Sequence, residues 1–290
     1  MKKTIILIPI YNDWESVSKL LENVDLQLDN WDAEVSAIII NDASTEKKSN
    51  IKLALKNLKK IKLINMKENR GHARCIAAGL KYIFEKEEFD FVIPMDGDGE
   101  DRPAELGAIL CEAYENPNIA ITANRIKRSE NIFFKFCYNM HKLLTFTFAG
   151  HSIKFGNYSC LPKHVVQKMI TEKATWSSFS GSLAKVTKVR GSVKSIRGTR
   201  YFGPSKMSFI NLVKHSLAII GVFKSFVLMR SILFLAVYMF LIQQNFTVIT
   251  FIPVILVLLL LVSVFLISGR ENLNELNNSL TNISNIDNIK

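Results

Sequence analysis

The chain has 290 residues, 48% of them hydrophobic, and carries 37 Lys and Arg against 26 Asp and Glu, a net charge of +11. That length holds one large domain or two modest ones, and the positive excess suits nucleic acid, anionic lipid or phosphorylated substrates without choosing among them. Four scattered cysteines (Cys75, Cys111, Cys137 and Cys160) lack paired spacing, which argues against a disulfide framework or a zinc site and fits a reducing compartment.

The apolar run after Met1-Lys2-Lys3 ends at Pro9, Tyr11, Asn12 and Asp13 without a small-residue cleavage site, so it reads as a buried first strand and not a signal peptide. Further strand candidates are Val35–Ile40, Ile61–Asn65, Phe89–Pro94 and Ile119–Ala123, after Thr4–Ile8. They are continuous Ile/Val-rich runs, as expected of strands buried on both faces of a parallel sheet. Between them, Trp14, Val17, Leu20, Leu21 and Val24 form one helical stripe, with Asn12 or Asp13 available as its N-cap. Ile76, Ala77, Leu80, Ile83 and Phe84 form another. Strand, helix, strand in repetition predicts right-handed crossovers in an open, doubly wound α/β sheet. In such sheets ligands bind beyond the carboxyl ends of the strands.

Beyond residue 125 the pattern changes. Residues 131–149 read as a very aromatic helix, and 206–226 place Phe209, Leu212, Val213, Leu217, Ile220 and Phe223 near one side, with Lys206, Lys214, His215 and Lys224 as the basic component. This second segment suits either core packing or the membrane interface. Residues 231–268 are mainly apolar, broken by Gln243, Gln244 and Asn245. Against the ~17–25 residues that a bilayer requires, Val248 to Ile267 suffices alone, while the first piece must extend back past Arg230. A two-helix hairpin is the favoured reading, and one full span plus a re-entrant piece the alternative. The polar break carries no Lys or Arg, whereas Lys224, Arg230 and Arg270 flank the outer ends. The positive-inside rule then puts the large domain and C-terminus in the cytoplasm, at the cell (inner) membrane. The expected divisions are 1–205 for the α/β domain, 206–229 for the juxtamembrane helix, 230–268 for the hairpin, and 269–290 for a disordered or loosely attached polar tail. Nucleic acid is the weaker partner. No zinc-finger spacing or basic helix is present, and basic residues thicken just before the apolar segment, as they do beside anionic headgroups. A homo-oligomer is compatible with the hairpin, though no pattern speaks for it.

Four clusters follow predicted strands. In MDGDGEDRP (95–103), Asp96, Asp98, Glu100 and Asp101 place four carboxylates in six residues. They repel one another unless a cation or solvent intervenes, and Mg²⁺ or Mn²⁺ with a bound diphosphate would satisfy them. PIYND (9–13) and INDAST (40–45) offer Tyr11 as an aromatic surface and Asp42 as an acceptor for a pyrimidine N–H. NRGHARCIAAGL (69–80) combines Gly71 with a helix start, which suits a nucleotide or simply a tight turn. His72, His141 and His215 read as surface or packing residues.

In order and spacing, PIYND, NDAST, NRGHARCIAAGL and MDGDGEDRPAEL resemble the nucleotide-sugar domain of family 2 inverting glycosyltransferases. Three further segments resemble its polyprenyl-phosphate branch, which includes dolichyl-phosphate mannose synthases and bacterial lipid-linked glucosyltransferases. They are Asn124-Arg125-Ile126-Lys127-Arg128, FGNYSCLPK (155–163) and RGTRYFGPSKMS (197–208). The resemblance implies a GT-A-like, mostly parallel sheet followed by amphipathic interfacial helices and a transmembrane hairpin. It implies metal at Asp96, Asp98 and Glu100, and the nucleotide-sugar at Pro9, Tyr11, Asp42, Asn69, Gly71, Asp96 and Asp98. Catalytic roles would fall to Asp96, Asp98, Arg125 and Arg128, and the acceptor phosphate to Arg197, Arg200, Ser205 and Lys206. Three positions depart from the family pattern: Glu100 for glutamine, Asn41 for the first aspartate of the nucleoside pair, and Asn157 for the aspartate of the G-D-F segment. A lipid phosphate, largely dianionic at neutral pH with its second pKa at ~6, needs no general base, so Asn157 is tolerable for it and awkward for a hydroxyl acceptor.

The expected function is inverting transfer of a sugar from a uridine- or guanosine-linked donor to a polyprenyl phosphate. A hydroxyl acceptor on the same fold, or a catalytically silent nucleotide-sugar-binding membrane scaffold, is the alternative. A haloacid-dehalogenase-type phosphatase would carry its D-x-D on an early strand, and a processive synthase would carry Q-x-x-R-W and more spans.

Overall fold

The structure, a computed structural model, describes residues 1–29, 31, 33–46, 55–127, 139, 143–150, 153–204 and 208–290. Its strands are β1 (Lys3–Ile10), β2 (Glu34–Asn41), β3 (Ile61–Met66), β4 (Phe91–Pro94), β5 (Ala120–Lys127), β6 (Phe155–Pro162), β7 (Arg190–Ile196) and β8 (Ile283–Asn288). They form one sheet in the order β7-β5-β6-β4-β1-β2-β3-β8. The four strands β3, β2, β1 and β4 run parallel, as do β5 and β7, while β6 and β8 run antiparallel to their neighbours. All five strands expected from the sequence are present, β4 starting two residues later than the run Phe89–Pro94 suggested.

The helices are α1 (Trp14–Gln27), α2 (His72–Lys86), α3 (Leu106–Glu115), α4 (Lys163–Thr171), α5 (Phe179–Val186), α6 (Phe209–Gly221), α7 (Lys224–Ile242), α8 (Val248–Ser268) and α9 (Leu273–Asn277). Successive side chains of β1 serve opposite faces, as the pleat demands. Ile6, Ile8 and Ile10 pack with Val17, Leu20 and Leu21 of α1 and with Leu106 and Ile109 of α3. Ile5 and Leu7 pack with Ile76, Leu80 and Ile83 of α2 and with Val165 and Met169 of α4. Both faces are therefore covered, which is why these strands read as unbroken apolar runs. The chain winds from β1 to β2 and β3, then crosses to β4 on the other side of β1. The sheet thus reverses direction between β1 and β4, where an open α/β sheet offers its ligand crevice.

Three expectations need correction. Asp13 does occupy the N-cap position of α1, but neither it nor Asn12 caps with its side chain. Asn12, at φ 52°, instead accepts hydrogen bonds from the backbone N–H groups of Thr45 and Glu46 at 2.9 and 3.0 Å, tying the β1 and β2 loops together. The 206–229 segment breaks at Val222–Phe223, so that α6 ends at Gly221 and the first membrane-length helix already begins at Lys224. The polar tail is not loose. It carries α9, and β8 pairs antiparallel with β3, covering the backbone edge that β3 would otherwise expose. Of the aromatic segment 131–149, only 139 and 143–149 lie among the described residues; Thr145–Ala149 form a π-helical turn whose Phe146 and Thr147 carbonyls accept from Arg230 of α7.

α7 and α8 are long and apolar enough to cross a membrane, and side chains such as Leu233, Phe240, Val248 and Leu266 point away from the protein. Tyr238 of α7 donates to the Thr250 carbonyl of α8 at 3.0 Å, and Thr247 with Thr250 forms a capping box at the start of α8. Because β8 rejoins the sheet, both ends of this hairpin lie on the side of the α/β domain.

Candidate active site

The acidic loop after β4 sits at the crevice between β1 and β4. Each of its four carboxylates is met by an arginine or a histidine. Asp96 Oδ1 lies 3.2 Å from His72 Nε2, Asp98 Oδ2 accepts from Arg200 at 2.7 Å, Glu100 is paired with Arg197, and Asp101 Oδ1 accepts from Arg125 at 3.2 Å. Mutual repulsion at this spacing demands such compensation, and protein side chains supply it here. The Arg200 guanidinium also reaches Asp13 Oδ1 at 2.8 Å, so it joins the β1 loop to the β4 loop.

Backbone geometry makes this possible. At Gly97 a Cβ would come within 2.9 Å of Ile10 Cγ2, so only glycine lets the loop lie against β1. Gly99 adopts φ +92°, and a Cβ there would overlap the Tyr201 ring at 2.6 Å. Residues 197–201 follow β7 and fold over the acidic loop. The Gly198 N–H donates to the Glu100 carbonyl at 2.8 Å and the Tyr201 N–H to the Asp98 carbonyl at 2.9 Å. Asn23 of α1 then holds the Tyr201 hydroxyl at 2.9 Å. The β5 register shifts around Asn124 and Arg125 against both neighbours, an irregularity of the kind that re-aims side chains beside active sites.

Electrostatics divide the carboxylates. Burial opposes the charge on Asp96, but His72, Arg125 and the Asn157 amide outweigh it and hold its carboxyl well below the usual range. Burial and then the charge of Asp96 push Asp98 up to about 6 and Asp101, only 3% exposed, up to about 7. Desolvation works against a charged His72, yet Asp96, Asp101 and Asp98 together raise its pKa.

The nucleoside-side candidates cluster at the ends of β1, β2 and β3. Pro9 is paired with Ile40 within the sheet, and Tyr11 is exposed just beyond β1. Asp42 is 4% exposed and takes a second task. Its two carboxylate oxygens accept the backbone N–H groups of Arg70 and Gly71 at 2.9 and 2.8 Å, which pins the loop that starts α2. Gly71, at φ +91°, makes that strand-to-helix turn, and Asn69 is exposed on it. Asn41 bridges to Asn65 Oδ1 at 2.9 Å and accepts from Ser44 at 3.0 Å.

Asn157, where the family pattern has an aspartate, lies 2.8 Å from His72 Nε2 and donates to Asp96 Oδ1 at 3.2 Å. A neutral amide here spares Asp96 a further negative neighbour. Arg128, Ser205 and Lys206 fall outside the described residues. His72 and Asp13 join the site although sequence reasoning assigned them no role there. The place of His72, next to Gly71 at the start of a helix that follows a strand end, was the available signal.

Asp96 and Asp98 are hard oxygen donors separated by one glycine. They fit a divalent ion that completes its shell with water and diphosphate oxygens, as Mg²⁺ sites with one or two carboxylates do. Among the described residues, no three His, Cys, Asp or Glu side chains form a ready-made cage, and Glu100 faces Arg197.

Undecaprenyl-phosphate 4-deoxy-4-formamido-L-arabinose transferase of Proteus mirabilis is 26% identical over 220 residues, covering 73% of this chain and 65% of that protein. The enzyme of the same name from Photorhabdus laumondii is 27% identical over 222 residues, with the same coverage. The chain thus spans about two-thirds, 65%, of the length of these curated relatives. Among solved structures, glucosyl-3-phosphoglycerate synthase from Mycobacterium tuberculosis, in complex with Mn²⁺, UDP-glucose and phosphoglyceric acid, superposes with a TM-score of 0.56 at 12% identity, covering 78% of this chain and 80% of that one. Mannosyl-3-phosphoglycerate synthase from Rubrobacter xylanophilus gives 0.55 at 11% identity, covering 76% and 72%. At such identities the likeness is one of fold, and it bears out the GT-A-like architecture. The model for "Glycosyl transferase family 2" matches residues 5–166, more than half of the chain, and the protein therefore belongs to that family.

Proposed function

We propose that this protein transfers a sugar, with inversion, from a uridine- or guanosine-diphosphate sugar to a polyprenyl phosphate at the cytoplasmic face of the cell (inner) membrane. The observation that carries this reading is the contact between the acidic loop 96–101 and the basic segment 197–201. It brings the group expected to hold the donor diphosphate against the segment that leads to α6 and the membrane hairpin. The named activity of the relatives, on undecaprenyl phosphate, supports the acceptor, and the UDP-glucose and Mn²⁺ of the solved M. tuberculosis structure support a nucleotide-sugar donor and a divalent ion.

In this reading, Tyr11, Asp42, Asn69 and Gly71, with the end of β1 at Pro9, form the nucleoside side of the crevice. Asp96 and Asp98 hold Mg²⁺ or Mn²⁺, which when bound offsets charge on the departing nucleoside diphosphate. Arg125 keeps Asp101 in place behind the loop and, with Arg128, adds positive potential. Arg197 and Arg200, which now neutralise Glu100 and Asp98, would take up the acceptor phosphate, a role the sequence resemblance extends to Ser205 and Lys206. Orientation and preorganised charge then supply most of the rate gain. No carboxylate base is required at Asn157, because the acceptor phosphate is already ionised. Lys224, Arg230 and Arg270 at the outer ends of the hairpin orient the domain toward the cytoplasm.

The test uses detergent-purified protein, undecaprenyl phosphate, Mn²⁺ or Mg²⁺ and a panel of nucleotide-sugars. Lipid-dependent release of nucleoside diphosphate, absent in Asp98→Ala, is the expected result, with a β-linked product from an α-linked donor. A retained anomer overturns single displacement. Metal-dependent nucleotide binding without release from any donor points to a silent scaffold.

A further inference from the structure

We infer that Asn282, on the segment returning from the membrane hairpin, is a positioning residue for the loop 67–71, and through it for the nucleotide-sugar. The inference rests on the donor-site reading of Asn69 and Gly71 given above. The Lys67 N–H donates to the Asn282 carbonyl at 2.7 Å. The Glu68 N–H donates to Asn282 Oδ1 at 3.2 Å, and Asn282 Nδ2 donates to the Glu68 carbonyl at 3.0 Å. One carboxamide thus satisfies both backbone groups of a single residue. This continues the pairing of β3 with β8 past the irregularity at Met66, where the ladder ends.

The same returning segment also grips the other side of the loop. Leu276 of α9 is fully buried against Ala77 and Trp176, and Glu275 accepts from Trp176 Nε1 at 2.7 Å while lying 3.7 Å from Arg74 of α2. Residues 69–73 are therefore bracketed, with Asn282 before them and α9 behind. Within the bracket, the Arg70 and Gly71 N–H groups hold Asp42, and His72 meets Asp96. A segment beyond the membrane hairpin consequently shapes the crevice of a domain that precedes it.

Asparagine suits this position because it carries one donor and one acceptor on the same planar group. Alanine removes both, and aspartate removes the donor to the Glu68 carbonyl. A loop freed at 67–68 samples more conformations, and the donor must then order it on binding. Interactions that hold a binding conformation equally in ground and transition states change KM and spare kcat.

The experiment compares wild type, Asn282→Ala, Asn282→Asp and the control Asn285→Ala, whose side chain reaches Asp287 on the same strand. Steady-state kinetics on donor and lipid would be combined with hydrogen exchange at residues 66–71. Asn282→Ala should raise the donor KM about three- to ten-fold, as loss of one or two hydrogen bonds implies, and speed exchange at Glu68. Asn282→Asp should lie between, while kcat, the lipid KM and the control stay near wild type. Wild-type exchange at Glu68 in Asn282→Ala, an unchanged donor KM, or a loss confined to kcat would overturn the positioning role. Failure of the transferase reading shows separately, as wild-type protein that turns over no nucleotide-sugar.

Discussion

Arg200 and Asp98, 102 residues apart in the chain, share a hydrogen bond of 2.7 Å, and the same guanidinium reaches Asp13 at 2.8 Å. A residue expected at the acceptor phosphate thus neutralises one expected at the metal. Partial burial of Asp98 and the charge of Asp96 disfavour its ionised form, and the Arg200 charge opposes them.

Removing Arg200 should have two opposite effects. Arg200→Ala should lower kcat/KM for the lipid phosphate about ten- to hundred-fold, the range for losing charge-assisted hydrogen bonds. It should also tighten Mn²⁺ binding to the nucleotide-free protein, since Asp98 loses its competing cation. Calorimetric Mn²⁺ titration that shows weaker binding would contradict this account.

Chelation provides a second check. Stripping divalent ions should abolish turnover, and Mn²⁺ or Mg²⁺ should restore it. Asp96→Asn and Asp98→Asn should each raise the metal concentration needed for half-maximal rate. Glu100→Gln, which introduces the family's glutamine in place of a carboxylate that faces Arg197, should do so far less. Full activity in chelator would remove Asp96 and Asp98 from the metal role.

Gly99 tests whether the 197–201 segment must cover the acidic loop. A Cβ there meets the Tyr201 ring at 2.6 Å and is strained by φ +92°. Gly99→Ala should displace that segment and cut turnover at least tenfold, at a cost of about 1–3 kcal/mol. Circular dichroism should still report a folded α/β domain, and wild-type kinetics would show the cover to be dispensable.

Asp25 offers a stability prediction away from the site. Its carboxylate, 6% exposed, accepts the backbone N–H groups of Lys56, Asn57 and Leu58 at 2.9, 2.8 and 2.8 Å. Burial disfavours the charge, but these three donors prevail and lower its pKa. A depressed folded pKa means the stabilisation is fully present above the unfolded value, about 3.9, and is lost as pH falls through the folded value. Asp25→Ala should cost about 2–3 kcal/mol at pH 7, and the difference from wild type should shrink in acid. A pH-independent difference in urea midpoint would reject the ionic origin.

Local patterns carried much of this protein's architecture. Unbroken Ile/Val runs marked β1 to β5, the 3.6-residue stripe at Trp14, Val17 and Leu20 marked α1, and the apolar stretch 231–268 marked the hairpin. Each signal arises within a few residues, because strand and helix periods decide which neighbouring side chains share a face. The acidic loop was legible for a similar reason, since four crowded carboxylates require compensation wherever they fold.

What compensates them was not legible. His72, Arg125 and the pair Arg197 and Arg200 come from three distant segments, and only the strand order brings them to the ends of β1 and β4. The tail misled for the same reason. Ile283–Asn288 looks like solvated polar chain, and becomes a strand only because β3 presents an open edge to it. The sequence alone determined the first five strands, the apolar hairpin and the acidic centre. Tertiary structure decided the partners, because contacts across a sheet depend on topology and not on spacing along the chain.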